Sequence, residues 1–223
     1  MKLKVIITGA SGMVGEGVLL TALKSDKIES VLVIGRRHCG WTHPKLKEII
    51  RNDFFNYDDI KDEITGFDTC FFCLGVSSVG MKEDEYKRIT YDLTLSTAKA
   101  LVERNPKMTF CYVSGAGTDS SEKGRLMWAR VKGKTENDLF KLPFKDVYAF
   151  RPALMKPFKE QKNIKSIYKK FSFIYPIAKT MFSVFICDME EVGASMINAA
   201  LYGYPKKILD TKDIRLLALR SKK

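Results

Sequence analysis

The chain has 223 residues, a length that suits one α/β domain and that buries enough apolar surface to fold without staples. Its hydrophobic content of 45% excludes a disordered chain, and five cysteines with two histidines do not make a secreted disulfide framework. The net charge of +12 favours an anionic ligand, for which phosphorylated cofactors, nucleic acid and anionic lipid all qualify.

Leu3–Thr8 reads as a first strand, so close to the start that no signal peptide is expected before it. It runs straight into Thr8-Gly9-Ala10-Ser11-Gly12-Met13-Val14-Gly15 and an apolar helical stretch, Val14–Lys24. In this context each glycine has a task. Gly9 permits the tight turn, Gly12 lets backbone approach a pyrophosphate, and Gly15 lets the helix pack on the strand. The free N–H groups and the dipole at the helix start favour the anion. Ser11, Met13 and Val14 complete this expected dinucleotide cradle.

The second strand, Ser30–Ile34, ends in Gly35-Arg36-Arg37. An acidic residue would be expected there, about 20 residues beyond the glycine loop, to hold the ribose 2′-OH of NAD. Arg36 and Arg37 instead offer forked donors for a 2′-phosphate, which makes NADP(H) the expected cofactor, the alternative being a solvated basic loop. Asp53 follows the third strand, Glu48–Asn52, where it could accept from an adenine amino group or simply shape a turn.

A fourth strand, Thr69–Leu74, carries Cys70 and Cys73. Three residues apart on a strand they point to opposite faces, which favours packing over redox or metal chemistry. Helical spacing over Glu83–Glu103, a strand at Met108–Val113, a helix over Gly124–Leu142 and a strand at Val147–Phe150 complete the alternation. Strand–helix alternation with apolar strands predicts a Rossmann-type, doubly wound parallel sheet with helices on both faces. From about residue 152 the character changes: Ile164–Cys187 is aromatic and aliphatic, and Met189–Leu201 reads as a helix. With no linker or repeat, residues 1–223 read as one domain whose later part forms the substrate or partner side. Pro176 and Lys179 interrupt Phe171–Cys187, which falls short of the ~20 apolar residues that a membrane-spanning helix needs.

Taken together, the TGxxGxxG spacing, Phe72-Cys73-Leu74-Gly75, Tyr112-Val113-Ser114-Gly115-Ala116, Val131-Lys132-Gly133-Lys134-Thr135-Glu136 and Arg151-Pro152-Ala153-Leu154 resemble the short-chain dehydrogenase/reductase superfamily. Within it the chain is similar to the atypical, NAD-dependent epimerase/dehydratase-like branch that contains the Tat-interacting-protein-like oxidoreductases. The resemblance spans roughly residues 1–205 and implies roles. Leu74 and Gly75 would line the adenosine and ribose path, and Ser114 would orient a substrate carbonyl. Lys132 would hold the nicotinamide ribose, while Pro152, Ala153 and Leu154 would border the nicotinamide. One departure stands out. The family's Tyr-x-x-x-Lys reads Trp128-Ala129-Arg130-Val131-Lys132 here, and an indole N–H has no accessible proton-transfer pKa. Tyr112, Asp119, Tyr86 and Tyr91 are the nearby candidates for a surrogate acid.

Three functions follow as expectations. The first is an NADP(H)-dependent oxidoreductase on an unknown carbonyl or alcohol, with Ser114, Lys132 and Trp128 at the reacting centre. The second is a non-catalytic NADP(H)-binding sensor that holds a protein partner. The third, contact with nucleic acid or an anionic membrane through Lys165, Lys169, Lys170, Lys222 and Lys223, is disfavoured, since such runs are usually solvated and no nucleic-acid motif is present. A cytoplasmic location is expected, and the oligomeric state leaves room for a homodimer.

Overall fold

The computed structural model describes residues 2–164 and 185–220. The lysines at 165, 169, 170, 222 and 223, and nearly all of the aromatic stretch 164–187, lie outside the described residues.

Seven strands form one parallel sheet: β1 (Leu3–Thr8), β2 (Ile28–Gly35), β3 (Leu46–Ile50), β4 (Thr69–Phe72), β5 (Thr109–Val113), β6 (Asp146–Arg151) and an edge strand at Ile208–Asp210. With β7 (Leu154–Lys156) and β8 (Ile186–Asp188) pairing separately in parallel, the edge strand is β9, and the main sheet has the order β3-β2-β1-β4-β5-β6-β9. The direction of winding reverses between β1 and β4, which places a crevice beyond their carboxyl ends, where open α/β sheets bind ligands.

The helices cover both faces because the strands are apolar on both. Val5 and Ile7 point into a core shared with α1 (Met13–Lys24), α5 (Met189–Tyr202) and α6 (Thr211–Ala218). Ile6 points the other way, into a core shared with α3 (Leu93–Arg104) and α4 (Met127–Leu139). Cys70 belongs to this second core and Cys73 packs against the first, as alternation on a strand requires. Helices α1 and α5 cross closely: a Cβ on Gly17 would meet Met189, and one on Gly193 would meet Thr21.

Several element ends differ from the sequence expectation for local reasons. Strand β4 stops at Phe72, since Cys73 and Leu74 turn in to lie against Gly9. Strand β3 ends at Ile50 rather than Asn52, where Arg51 folds its guanidinium back onto the loop, onto the Asp53 carbonyl among others. Helix α4 begins at Met127, because the Gly124 N–H donates 2.6 Å to the Asp119 carboxylate and holds a turn ahead of it. The single helix expected over Glu83–Glu103 is α2 (Glu83–Lys87) joined to α3 through a π turn at Arg88–Asp92. The short strand β9 gives too little periodicity to be read from sequence.

Candidate functional site

Gly9 leaves β1 at φ +73°, and a Cβ there would lie 2.7 Å from the backbone of Cys73 and Leu74. Its carbonyl accepts from the Gly12 N–H at 2.9 Å, which closes the turn, and the Gly12 carbonyl accepts the first helical bond from Glu16 at 2.9 Å. A Cβ on Gly15 would come within 2.1 Å of the Gly9 oxygen, so the helix rests directly on the turn. No side-chain hydrogen bond caps the start of α1 among the described residues, and its first-turn amides point outward for an anion.

This turn opens on a cleft of about 700 Å³. Gly9, Ser11 and Gly12 line its floor, and Arg36 and Arg37, both exposed, line the side reached from β2. Leu74 and Gly75 form another wall, together with Ile89 and Leu93, which the π turn brings to the same side. Asn52, Phe54 and Phe55 also face the cleft. Asp53 stands beside them, exposed, with Oδ1 accepting the Phe55 N–H at 2.7 Å, an Asx turn that shapes the loop. Met13 and Val14 sit just beyond the floor: the Met13 carbonyl accepts from Gln161 Nε2 at 2.7 Å, and Val14 packs on the core. Glu48, the acid of β3, is engaged elsewhere. Burial would raise its pKa, but bonds from the Cys39 N–H and from His38 outweigh this and hold it below the usual carboxylate range.

The second group lies past β5. Ser114 is buried, and its hydroxyl donates to the Phe150 carbonyl at 3.3 Å, so it faces β6. Lys132, half-buried on α4, donates through Nζ to the Ser114 carbonyl. Burial lowers its pKa to about 8, partly opposed by Glu136. The Trp128 ring covers Gly117, where a Cβ would come 3.2 Å from the indole. Pro152 is buried, with its carbonyl accepting the Ala116 N–H at 3.0 Å, whereas Leu154 is exposed on β7. Neither Ser114, Trp128 nor Lys132 lines the 700 Å³ cleft.

The candidate surrogate acids are occupied. Tyr91 donates to Asp138 at 2.7 Å, and Asp119 accepts from Ser121 and Gly124, which hold its carboxyl below the usual range. Tyr112 and Tyr86 are fully buried, and burial pushes both phenols above their ordinary range.

A family model matches residues 5–123, more than half of the chain: the NAD-dependent epimerase/dehydratase family. The chain belongs to that family. Relatives of this NAD(P)-binding, oxidoreductase-like family member include a protein named FMP52, mitochondrial, from Debaryomyces hansenii, 28% identical over 198 residues, covering 87% of this chain and 86% of the relative. Protein HTATIP2 of Rattus norvegicus is 28% identical over 153 residues, 68% of this chain and 62% of that protein. Among solved structures, the Helicobacter pylori ADP-L-glycero-D-manno-heptose-6-epimerase superposes with a TM-score of 0.70 at 14% identity, covering 96% of this chain and 80% of that one. The Bordetella bronchiseptica enzyme WbmF in complex with NAD+ gives 0.67 at 15% identity, over 97% and 76%. These two establish the fold. No helix among the described residues is long and apolar enough to cross a membrane.

Two supports of this epimerase/dehydratase fold were not anticipated. Glu16, fully buried on α1, accepts from Trp41 Nε1 at 3.0 Å, Lys162 N at 2.7 Å and Asn163 N at 2.8 Å. It thereby ties the segment after β7 to the glycine-loop helix. A charge inside an otherwise apolar helix face was the available signal. The other is Glu136, fully buried, which takes a forked bond from Arg151 and pins α4 to β6. Nothing in the spacing links residues so far apart in sequence.

Proposed function

We propose that the chain is an NADP(H)-dependent oxidoreductase acting on a carbonyl or alcohol substrate, with Trp128 standing in the place of the family's tyrosine. The observation that carries the reading is the glycine turn, with no room for a Cβ at Gly9 or Gly15 and uncapped amides above, opening beside two exposed arginines. The cradle suits a diphosphate, and Arg36 and Arg37 suit one further phosphate on the ribose. When bound, the dinucleotide supplies or accepts a hydride. The chain's own residues do the rest. Gly12 and the first turn of α1 hold the diphosphate, and Asn52, Phe54 and Phe55 bound the adenosine end. Lys132 anchors the far ribose, and Ser114 marks the carbonyl side. Cytoplasmic residence fits a chain whose five cysteines are all thiols.

Calorimetry with NADPH and NADH tests the cofactor. NADPH should bind more tightly, and Arg36→Ala with Arg37→Ala should cost it about tenfold or more in affinity while leaving NADH unchanged. Absence of heat with either nucleotide on folded protein defeats the reading. NADPH oxidation across a panel of aldehydes and ketones then tests the reaction.

A second reading is supported by Trp128 and by the inward-facing Ser114 hydroxyl: a cofactor-binding module without turnover that presents a face to a protein partner. Tight NADPH binding, silence across the panel and NADPH-dependent capture of a partner would favour it.

A further inference from the structure

We infer that Lys132 is itself the proton donor of the proposed reaction, through its Nζ, rather than an accessory to a phenol. The assignment rests on the oxidoreductase reading above and extends it. Of the candidate acids named above, Tyr91 is bound to Asp138, Asp119 is bound to Ser121 and Gly124, and Tyr86 and Tyr112 are sealed in the interior. The Ser114 hydroxyl is committed to the Phe150 carbonyl. Trp128 closes over Gly117 and has no ionisable proton. Lys132 stands at the centre of this group, on the helix facing the turn after β5, with one N–H spent on the Ser114 carbonyl. An ammonium has three donors, so two remain.

The electrostatic surroundings suit the task. The groups that bear on Lys132 are Glu136 one turn along its own helix, itself neutralised by Arg151 of β6, and the uncharged Ser114 carbonyl of the turn after β5. The phenol of Tyr112 on β5 and that of Tyr86 on α2 are neutral. Burial lowers the lysine to about 8, close to the pH at which an acid both stays protonated and releases its proton readily. In the proposed reduction, bound reduced NADP would supply the hydride to the carbonyl carbon, and the C=O π pair would move to oxygen. A proton then leaves Nζ for that oxygen, and the neutral amine regains one from solvent. The products are an alcohol and oxidised NADP.

The first test needs no turnover. In protein with isotopically labelled lysine side chains, the resonance that disappears in Lys132→Arg should titrate in the wild type with a midpoint of about 8. The second is single-turnover reduction against pH, which should fall about tenfold per unit above that midpoint. Lys132→Arg keeps the cation but cannot deprotonate, so at saturating NADPH it should transfer hydride ~100-fold more slowly. If that variant fails to fold, Lys132→Gln takes its place, and the wild-type titration stands alone. A midpoint of about 10 or higher, or a Lys132→Arg enzyme with wild-type rate and profile, overturns the assignment while the oxidoreductase reading survives. Absence of NADPH binding overturns both.

Discussion

The glycine loop and the Ser114–Lys132 corner both lie at the carboxyl edge of the sheet, yet they are held in shape by different forces. In the loop, backbone touches backbone: Gly9 lies against Cys73 and Leu74, and Gly15 lies against Gly9, with no space for a side chain at either. At the corner, side chains do the holding. Lys132 reaches to the Ser114 carbonyl, Trp128 lies over Gly117, and Glu136 grips Arg151 from beneath. The contrast teaches that a turn packed backbone against backbone can be written in a handful of adjacent residues, because glycines alone set its shape. The corner depends on groups brought together from three elements, so a single substitution there can change what the groups do without disturbing the fold.

Substitutions should break the two regions in different ways. Glu136→Ala leaves the partly buried Arg151 cation without its fully buried carboxylate partner, and should cost about 3 kcal/mol in urea unfolding. A loss under about 1 kcal/mol would mean that the corner does not depend on the pair. Glu16→Ala orphans three donors and should cost about 3 kcal/mol. Amide exchange at Lys162 and Asn163 should quicken with it, and unchanged exchange would show that the clamp is not what orders that segment. Gly15→Ala drives a methyl into the Gly9 carbonyl and should cost about 1–3 kcal/mol while abolishing nucleotide binding. Retained binding would show that the loop tolerates displacement.

The smallest effect is a pH dependence at the corner. Below about 8 both folded and unfolded chains carry the Lys132 charge; between about 8 and its ordinary value of 10.5 only the unfolded chain does. Unfolding then takes up a proton, so the wild type should gain stability relative to Lys132→Met as pH rises through that window. The lysine is only partly exposed, and the gain across this window should be on the order of 1 kcal/mol. A flat difference between pH 8 and 10.5 would show that burial does not perturb it.

The features legible in the sequence were those written locally. Six strands, the parallel winding and the glycine turn follow from runs of Val, Ile and Phe and from three glycines at fixed spacing, and Cys70 and Cys73 part to opposite faces as period-two alternation demands. The features that escaped depend on chain segments meeting from afar. The π turn that brings Ile89 and Leu93 to the cleft leaves no mark in the helical pattern. The inward turn of the Ser114 hydroxyl depends on Phe150 of the neighbouring strand. The three residues of strand β9 pair with the edge of β6, a partner far off in sequence.

By itself, the order of residues determined the α/β class and the tight glycine turn after the first strand, since each is a matter of neighbours along the chain. Only the tertiary structure decided which acids are already engaged, which carboxylate is buried under Arg151, and what surrounds Lys132. Burial and hydrogen-bond partnership are set by residues distant in sequence, and these set the protonation behaviour of a site.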